Sequence, residues 1–209
     1  MQCDDLPAPL PDTGRAAASA RARWPGLLAA ALSLASPASA ALAMEVKSVA
    51  ASREGPAYVL RIEAVLAAPP GPLMEVLTDY DRIHELHPRI LQSRSLGRVD
   101  PVTEEVYTRF EGCVLFFCRS LDRVERIQVV DHTLFAEDVP GRGSFSEGRT
   151  VWRMAAEGRG TRLHYVARFV PAFWVGPLIG PGVLARSVER MTIETMAEVE
   201  RRAAAGDDD

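Results

Sequence analysis

The chain has 209 residues, of which 24 are basic and 28 acidic, with a formal net charge of −4. Without a basic run, this balance gives no electrostatic basis for binding nucleic acid, so none is expected as a partner. The length supports one hydrophobic core rather than two.

The N-terminal residues have the pattern of an export leader. Arg21 and Arg23 precede an apolar run over residues 27–35, which is shorter than the roughly 18 to 20 apolar residues that a membrane-spanning helix needs. The sequences Ala38-Ser39-Ala40 and Ala41-Leu42-Ala43 both fit the small-x-small rule for cleavage. Residues 1–43 are therefore predicted to be a leader that is cleaved after Ala40 or Ala43, giving a periplasmic or secreted protein. The alternative is a protein anchored by an uncleaved N-terminal segment.

A strand and two short helices are predicted to open the mature domain, which spans residues 44–202. Tyr58, Leu60 and Ile62 alternate with polar residues, which is typical of a half-buried strand. After a proline-rich step, residues 73–86 show helical spacing, divided near Asp79 and ended by Pro88.

Five or six further strands follow, in a sheet that is expected to be mostly antiparallel. Short polar or glycine-containing turns separate them. The predicted strands cover residues 90–99, 104–112, 119–130, 134–138, 150–156 and 161–170.

Two cysteines remain after removal of the leader. Five residue steps along an extended strand span roughly 16 Å, whereas disulfide-bonded Cα atoms lie about 4.4 to 6.8 Å apart. A disulfide between Cys113 and Cys118 thus requires residues 114–117 to turn back, as at a hairpin tip. One alternative is two buried free thiols. The other is a metal site, which is disfavoured because the two cysteines lack the remaining ligands of a closed zinc centre.

A long amphipathic helix is predicted over residues 183–202, because apolar residues recur at steps of three and four. It follows residues 169–182, a segment without ionisable side chains. The acidic tail, residues 203–209, is predicted to be disordered. A strand, two short helices, about six strands and a long helix together predict an α+β fold.

Several phrases resemble the helix-grip superfamily, which includes START domains, Bet v 1-like proteins, aromatase/cyclases and coenzyme Q-binding proteins (the SRPBCC group). They are LTDYDRIHELHPRI at residues 77–90, EGCVLFFC at 111–118, GSFSEGRTVWRM at 143–154 and FVPAFWVGPLIGP at 169–181. The resemblance covers residues 44–200. It implies a curved antiparallel sheet of about seven strands that grips the C-terminal helix around an apolar cavity.

Such a container needs an apolar lining with a few polar anchors. Tyr107, Thr108 and Tyr165 are the candidate anchors. The complete set of predicted ligand-binding residues is Tyr107, Phe110, Trp152, Tyr165, Phe169, Phe173, Trp174, Leu178, Leu184, Val188 and Met191.

The charged residues and the histidines are predicted to have structural rather than catalytic roles. Arg109 and Glu111 share a strand face, as do Arg123 and Glu125, and both pairs are expected on the solvated side of the sheet. An inward-facing pair would instead orient the polar end of a ligand. His84 and His87 lack a visible third ligand, so no metal site is predicted.

The leading functional hypothesis is therefore an exported binding or carrier protein for a small hydrophobic ligand that is lipid-like, quinone-like or polycyclic. Residues 173–179 would form a lip of the cavity, with transient membrane contact during loading. The alternative is a cyclase or dehydratase-like enzyme, with Tyr107, Arg109 or Tyr165 moving a proton. No cofactor is expected.

Overall fold

The computed structural model describes residues 44–114, 117–175 and 181–206. Two helices are α1 (Pro70–Thr78) and α2 (Pro181–Gly206), and one 3₁₀ turn covers Ile83–Glu85. The strands are β1 (Glu45–Glu54), β2 (Ala57–Leu66), β3 (Ile90–Asp100), β4 (Thr103–Val114), β5 (Phe117–Val130), β6 (Thr133–Asp138), β7 (Phe145–Glu157) and β8 (Gly160–Pro171).

All eight strands form one sheet in the order β1-β2-β8-β7-β6-β5-β4-β3, and every neighbouring pair is antiparallel. Helix α2 contacts β1, β2 and β4, which lie near opposite edges of this order. A flat sheet does not bring both edges to one helix, so the sheet curves around α2. The predicted helix-grip architecture is confirmed, with one strand more than the sequence suggested.

The additional strand is β1, at the edge of the sheet. Nine of its ten residues are exposed, so its sequence lacks the alternation of apolar and polar residues that reveals a half-buried strand. It is held by pairing with β2 through a turn at Gly55, whose φ of 62° suits glycine.

Helix α2 divides into two halves that pack differently. Met196, Val199 and Ala203 in its C-terminal half are buried in the main core, together with residues of β2 and α1 such as Ile62 and Leu73. The N-terminal half instead borders a cavity. The helix continues to Gly206, so residues 203–206 belong to it and the predicted tail starts too early.

The two short helical segments are fixed by local features of the chain. Pro70 occupies the first turn of α1, where a missing N–H costs no helical hydrogen bond. The second predicted short helix is the 3₁₀ turn, tied to α2 by Arg202, which donates to the carboxylate of Glu85 at 2.7 Å. Within the described ranges, no helix combines the length and apolarity required to cross a bilayer.

Candidate functional site

A cavity of about 430 Å³ lies between the concave face of the sheet and the N-terminal half of α2. This volume is within the roughly 300 to 1,000 Å³ of typical ligand pockets. Its wall is mainly apolar, with inward-facing residues of β4, β5, β7 and β8 and one side of α2. The cavity therefore has the place and character that the fold resemblance implied.

The structure brings most of the predicted ligand-binding residues together around this cavity. They come from three strands, the segment after β8 and the helix. Phe110, Trp152, Tyr165, Phe169, Phe173, Trp174, Val188 and Met191 all line it. Leu178 and the side chain of Leu184 lie outside the described residues.

Tyr107 does not line the cavity, which corrects its prediction as a ligand contact. Its hydroxyl donates to Asp122 at 2.5 Å, and Arg94 lies over its ring at 5.2 Å. Arg109 joins the same group through a 2.8 Å contact with Asp122. Because side chains alternate along β4, Tyr107 and Thr108 must point to opposite faces, and Thr108 is the one that lines the cavity.

Aromatic rings build one wall of the cavity. Trp152 on β7 and Tyr165 on β8 are cross-strand partners in an edge-to-face contact, with ring centroids 4.7 Å apart. Phe145 connects two further rings: it stacks with Phe110 at 6.1 Å and meets Phe169 edge-on at 5.6 Å. Such contacts fix large rings in place and leave their surfaces available to an apolar ligand.

A charged cluster interrupts this apolar lining on β5 and β6. Arg123 Nε donates to Asp138 Oδ1 at 2.5 Å, and its Nη2 lies 3.2 Å from Glu125 Oε1. The side chains of Arg123 and Glu125 are only 20% and 13% exposed, and both line the cavity. The expectation that this pair lies on the solvated side is therefore wrong.

Burial and neighbouring charges compete in setting the ionisation of the cluster. It disfavours the charged guanidinium, but the Glu125 and Asp138 carboxylates outweigh it and raise the pKa of Arg123. Burial also raises the pKa of Glu125; Arg123 opposes this shift and Asp138 adds to it. The cluster thus presents a permanent cation and a carboxyl group with an increased tendency to hold a proton.

A glycine makes the cluster possible. A Cβ placed on Gly148 of β7 would lie 1.6 Å from Asp138 Oδ2 and 2.9 Å from Arg123 Nη2. Every other residue type would displace the carboxylate from the guanidinium. Gly148 is thus a structural requirement of the charged cluster.

Two hydroxyl groups add polarity to the cavity wall. Thr150 is 5% exposed, and its Oγ1 has no hydrogen-bond partner among the described residues. Burial raises the pKa of the Tyr165 hydroxyl to about 12, so it remains a neutral donor at physiological pH. An unpartnered buried hydroxyl is unusual in proteins and is available to a bound molecule.

The sequence carries one signal for the charged cluster. Leu121, Arg123, Glu125 and Ile127 share one face of β5, so the two charges interrupt an otherwise apolar face. Thr150 carried no such signal, because its isolation depends on what surrounds it in three dimensions.

The mouth of the cavity is formed by the β4–β5 hairpin and the segment that follows β8. The predicted disulfide is confirmed: Cys113 and Cys118 are bonded and paired across the hairpin. Ser187 of α2 donates to the carbonyl of Cys113 at 2.5 Å, which links the hairpin to the helix. The disulfide-bonded residues Cys113 and Cys118 thus contribute to the rim of the cavity.

Near the disulfide, Glu111 brings a carboxylate within 4.8 Å of both sulfur atoms. A metal would require thiolates, and the disulfide removes them. His87 is also engaged, since its Nε2 lies 2.9 Å from Glu194 and its Nδ1 accepts the N–H of Arg89 at 3.0 Å.

Comparison with known proteins identifies the family. A sequence model described as polyketide cyclase / dehydrase and lipid transport matches residues 59–204. No curated protein matches the chain.

Solved structures show the same fold at low identity. An aromatase/cyclase, Zhui from Streptomyces sp. R1128, has a TM-score of 0.57 at 16% identity, covering 71% of this chain and 94% of its own. A STAR-related lipid transfer protein from Xanthomonas axonopodis has a TM-score of 0.58 at 17% identity, covering 75% and 98%. A START superfamily protein from Mycobacterium smegmatis has a TM-score of 0.56 at 14% identity, covering 70% and 97%. With the family match over most of its length, the chain belongs to the polyketide cyclase / dehydrase and lipid transport family, in the START-like helix-grip superfamily.

Proposed function

We propose that this protein is an exported carrier or binding protein that holds a hydrophobic ligand between its sheet and α2. The observation that carries the proposal is the cavity of about 430 Å³, apolar over most of its wall and polar at one cluster. This fold binds small hydrophobic molecules, and function within it depends on the lining of the cavity.

The polar groups favour a ligand with one oxygen-bearing end. Arg123 offers a cation and Thr150 an unpartnered hydroxyl, whereas the aromatic wall suits a flat or branched apolar body. A lipid-like, quinone-like or polycyclic molecule combines these features. Its polar end would lie at β5 and β7, and its apolar body along Trp152 and the N-terminal half of α2.

The direct test is to purify the protein from its native compartment, extract it with organic solvent and analyse the extract by mass spectrometry. A stoichiometric apolar molecule is expected. Met191→Trp fills the cavity and should abolish retention of this molecule. Arg190→Trp adds the same side chain at the neighbouring exposed position and should leave retention unchanged. An empty extract together with no uptake of fluorescent fatty acid or quinone probes would refute the carrier.

One observation favours a second candidate function, a cyclase or dehydratase-like enzyme. Glu125 is a carboxyl group with raised pKa that lines the cavity, and such a group is suited to general acid catalysis. Tyr165 lies in the same cavity, whereas Tyr107 and Arg109 are engaged with Asp122 on the other face. Glu125→Gln should abolish turnover of aromatic polyketide-like compounds while retaining their binding. If no compound is turned over, the carrier function is favoured.

The proposal of export rests on residues 1–43 as a sequence, with the two small-x-small sites as support. Fractionation of cells that express the full chain should recover the protein, without its leader, in the periplasm or medium. Recovery of the full-length chain in the membrane fraction would support the anchored alternative.

Membrane contact during loading is also proposed, with Trp174 as the contacting residue. Trp174 lines the mouth and is 81% exposed, and Arg119 lies 4.7 Å from the ring of the adjacent Phe173. Amphipathic rings with a nearby cation suit the headgroup region of a bilayer. Trp174→Ala should weaken sedimentation with vesicles that contain anionic lipid, whereas Phe135→Ala, an exposed ring on a strand away from the mouth, should not.

A further inference from the structure

The carboxylate of Glu200 joins the C-terminal half of α2 to the beginning of the domain. Glu200 is 8% exposed, and it accepts two backbone N–H groups. The amide of Ala67, directly after β2, donates to Oε1 at 2.5 Å, and the nitrogen of Met44, directly before β1, donates to Oε2 at 2.7 Å. Glu200 therefore ties the edge hairpin of the sheet to the helix.

Among the described residues, this carboxylate is buried without a cationic partner. Neighbouring Arg201 and Arg202 pair with Glu198 and Glu85 instead. In residues 44–114, 117–175 and 181–206, no basic side-chain nitrogen lies within 4.0 Å of the carboxylate oxygens of Glu200. Buried carboxylates are rarely left without a counter-charge, so the site calls for a cation where Met44 donates.

The sequence supplies such a cation through processing. Ala41-Leu42-Ala43 satisfies the small-x-small rule and ends directly before Met44. We propose that the leader is removed between Ala43 and Met44, and that the new α-ammonium group of Met44 forms a buried ion pair with Glu200. This inference rests on the proposed export but not on the proposed ligand.

The chemistry is hydrolysis by a signal peptidase. Water adds across the Ala43–Met44 peptide bond: its hydroxyl joins the Ala43 carbonyl carbon, and the Met44 nitrogen takes a proton. At neutral pH the new amine binds a second proton, since its ordinary pKa is about 7.7 to 8.0. The 2.7 Å hydrogen bond from a neutral amide to the carboxylate then becomes an ion pair between an ammonium group and the carboxylate at the same atoms.

The geometry distinguishes the two cleavage sites that the sequence left open. Cleavage after Ala40 leaves Met44 as an internal amide, so Glu200 keeps only neutral donors. Cleavage after Ala43 places the charge at the carboxylate. The ion pair would therefore stabilise the domain only after the leader has been removed.

The first measurement is the N-terminus of the exported protein, by intact mass and terminal sequencing. A chain that begins at Met44 is expected. A chain that begins at Ala41, or one that retains the leader, overturns the inference. Retention of the leader would also count against export, whereas the carrier function is decided by the solvent extraction described above.

The second measurement tests the ion pair. Chains that begin at Met44 and at Ala41 are released from a fusion by a protease that leaves no additional residue, and thermal unfolding is followed between about pH 7 and pH 10. Glu200 should raise the pKa of the Met44 amine in the folded state above its value in the unfolded state. The added stability is therefore present at a pH below the pKa of the unfolded state, and it is lost as pH rises through the pKa of the folded state. The chain that begins at Met44 should have a Tm higher by at least about 2 °C near pH 7, with the difference vanishing toward pH 10.

Variants assign the effect to Glu200. In Glu200→Gln the Tm difference between the two chains should disappear, and in Glu189→Gln, on the same helix, it should remain. If Glu200→Gln does not fold, acetylation of the Met44 amine removes the charge and leaves Glu200 intact, and it should give the same loss. A difference that survives acetylation, or none between the unmodified chains, refutes the ion pair.

Other charged groups on the adjoining elements do not explain such a difference, because both chains contain them. Most of these groups pair with one another: Glu45 with Lys47, Glu63 with His164, and Glu157 with Arg162. The remaining group is Glu75 on α1.

Discussion

Thr150 gives the sharpest test of the cavity at the scale of single residues. Its Oγ1 has no partner in the described structure, whereas Oγ1 of Thr161, on the next strand, donates to the carbonyl of Ala68 at 2.8 Å. Thr150→Val should leave the free energy of unfolding unchanged or increased, because it removes an unsatisfied buried hydroxyl. It should weaken binding of the extracted ligand about two- to twelvefold, since one hydrogen bond contributes roughly 0.5 to 1.5 kcal/mol.

Thr161→Val is the matched control, because it removes a satisfied bond at a buried position. It should destabilise the protein by about 1 kcal/mol and leave ligand affinity unchanged. Calorimetric titration and urea unfolding of both variants measure the two effects separately. Equal ligand affinity in Thr150→Val and the wild type would mean that the ligand does not use this hydroxyl.

Glu125 predicts a pH dependence with a definite sign. Because burial raises its pKa above 4.5, the folded state holds the proton more tightly than the unfolded state does. The stability of the wild type relative to Glu125→Gln should therefore fall as pH rises from the ordinary value of 4.5 through the raised pKa. Urea unfolding of both proteins across this range measures the difference.

Glu85 provides a control of opposite sign. Hydrogen bonds from Arg82 and Arg202 lower its pKa to about 2, so its contribution is present above 4.5 and is lost as pH falls toward the lowered value. The stability of the wild type relative to Glu85→Gln should thus decrease on acidification. If both variants show the same sign, burial does not dominate at Glu125.

At the scale of elements, α2 combines a packed half and a cavity half. Met196 is 1% exposed in the core, whereas Met191 faces the cavity. Met196→Ala should reduce the free energy of unfolding by about 2 to 5 kcal/mol, because it creates a void among packed neighbours. Met191→Ala should cost clearly less, since its side chain already lacks neighbours on one side. Equal losses in denaturant unfolding would mean that the helix is uniformly packed.

Sequence periodicity predicted most of these elements, and the exceptions have physical causes. Strands β2 to β8 bury one face or show turn signals, and α2 repeats apolar residues at helical spacing, so their patterns were informative. Strand β1 is exposed on both faces and is held by backbone pairing, which leaves no pattern in the side chains. Residues 203–209 were predicted to be a disordered acidic tail because they contain no large apolar side chain. Ala203 is nevertheless buried in the core.

The apolar part of the site was predictable from the sequence, whereas the pairing of its charged groups was not. Large aromatic residues on the inner strand faces had to meet under α2, and most of them do. The pairing of Arg123 with Asp138 joins β5 to β6 and requires Gly148 on β7, so it depends on three strands at once. No spacing within a single strand reveals it.

At the scale of the whole molecule, two regions should respond differently to ligand. The core around Met196, β2 and α1 is closed, whereas the β4–β5 hairpin and the N-terminal half of α2 surround the cavity. A ligand that binds only the folded state stabilises it by about 2.7 kcal/mol at a hundredfold excess over its Kd. Stripping the protein of ligand should therefore lower its Tm.

The loss of protection should be local as well as global. Amide hydrogen exchange should accelerate at Ser187 to Thr195 and at the disulfide hairpin when ligand is removed, because these segments lose contacts with it. Exchange in β2 should change only through global unfolding, since its residues pack against α1 and the C-terminal half of α2. Met191→Trp fills the cavity and should show slow exchange at the rim with or without ligand. Uniform acceleration across both halves of α2 would instead mean that the helix leaves the sheet as one unit to admit the ligand.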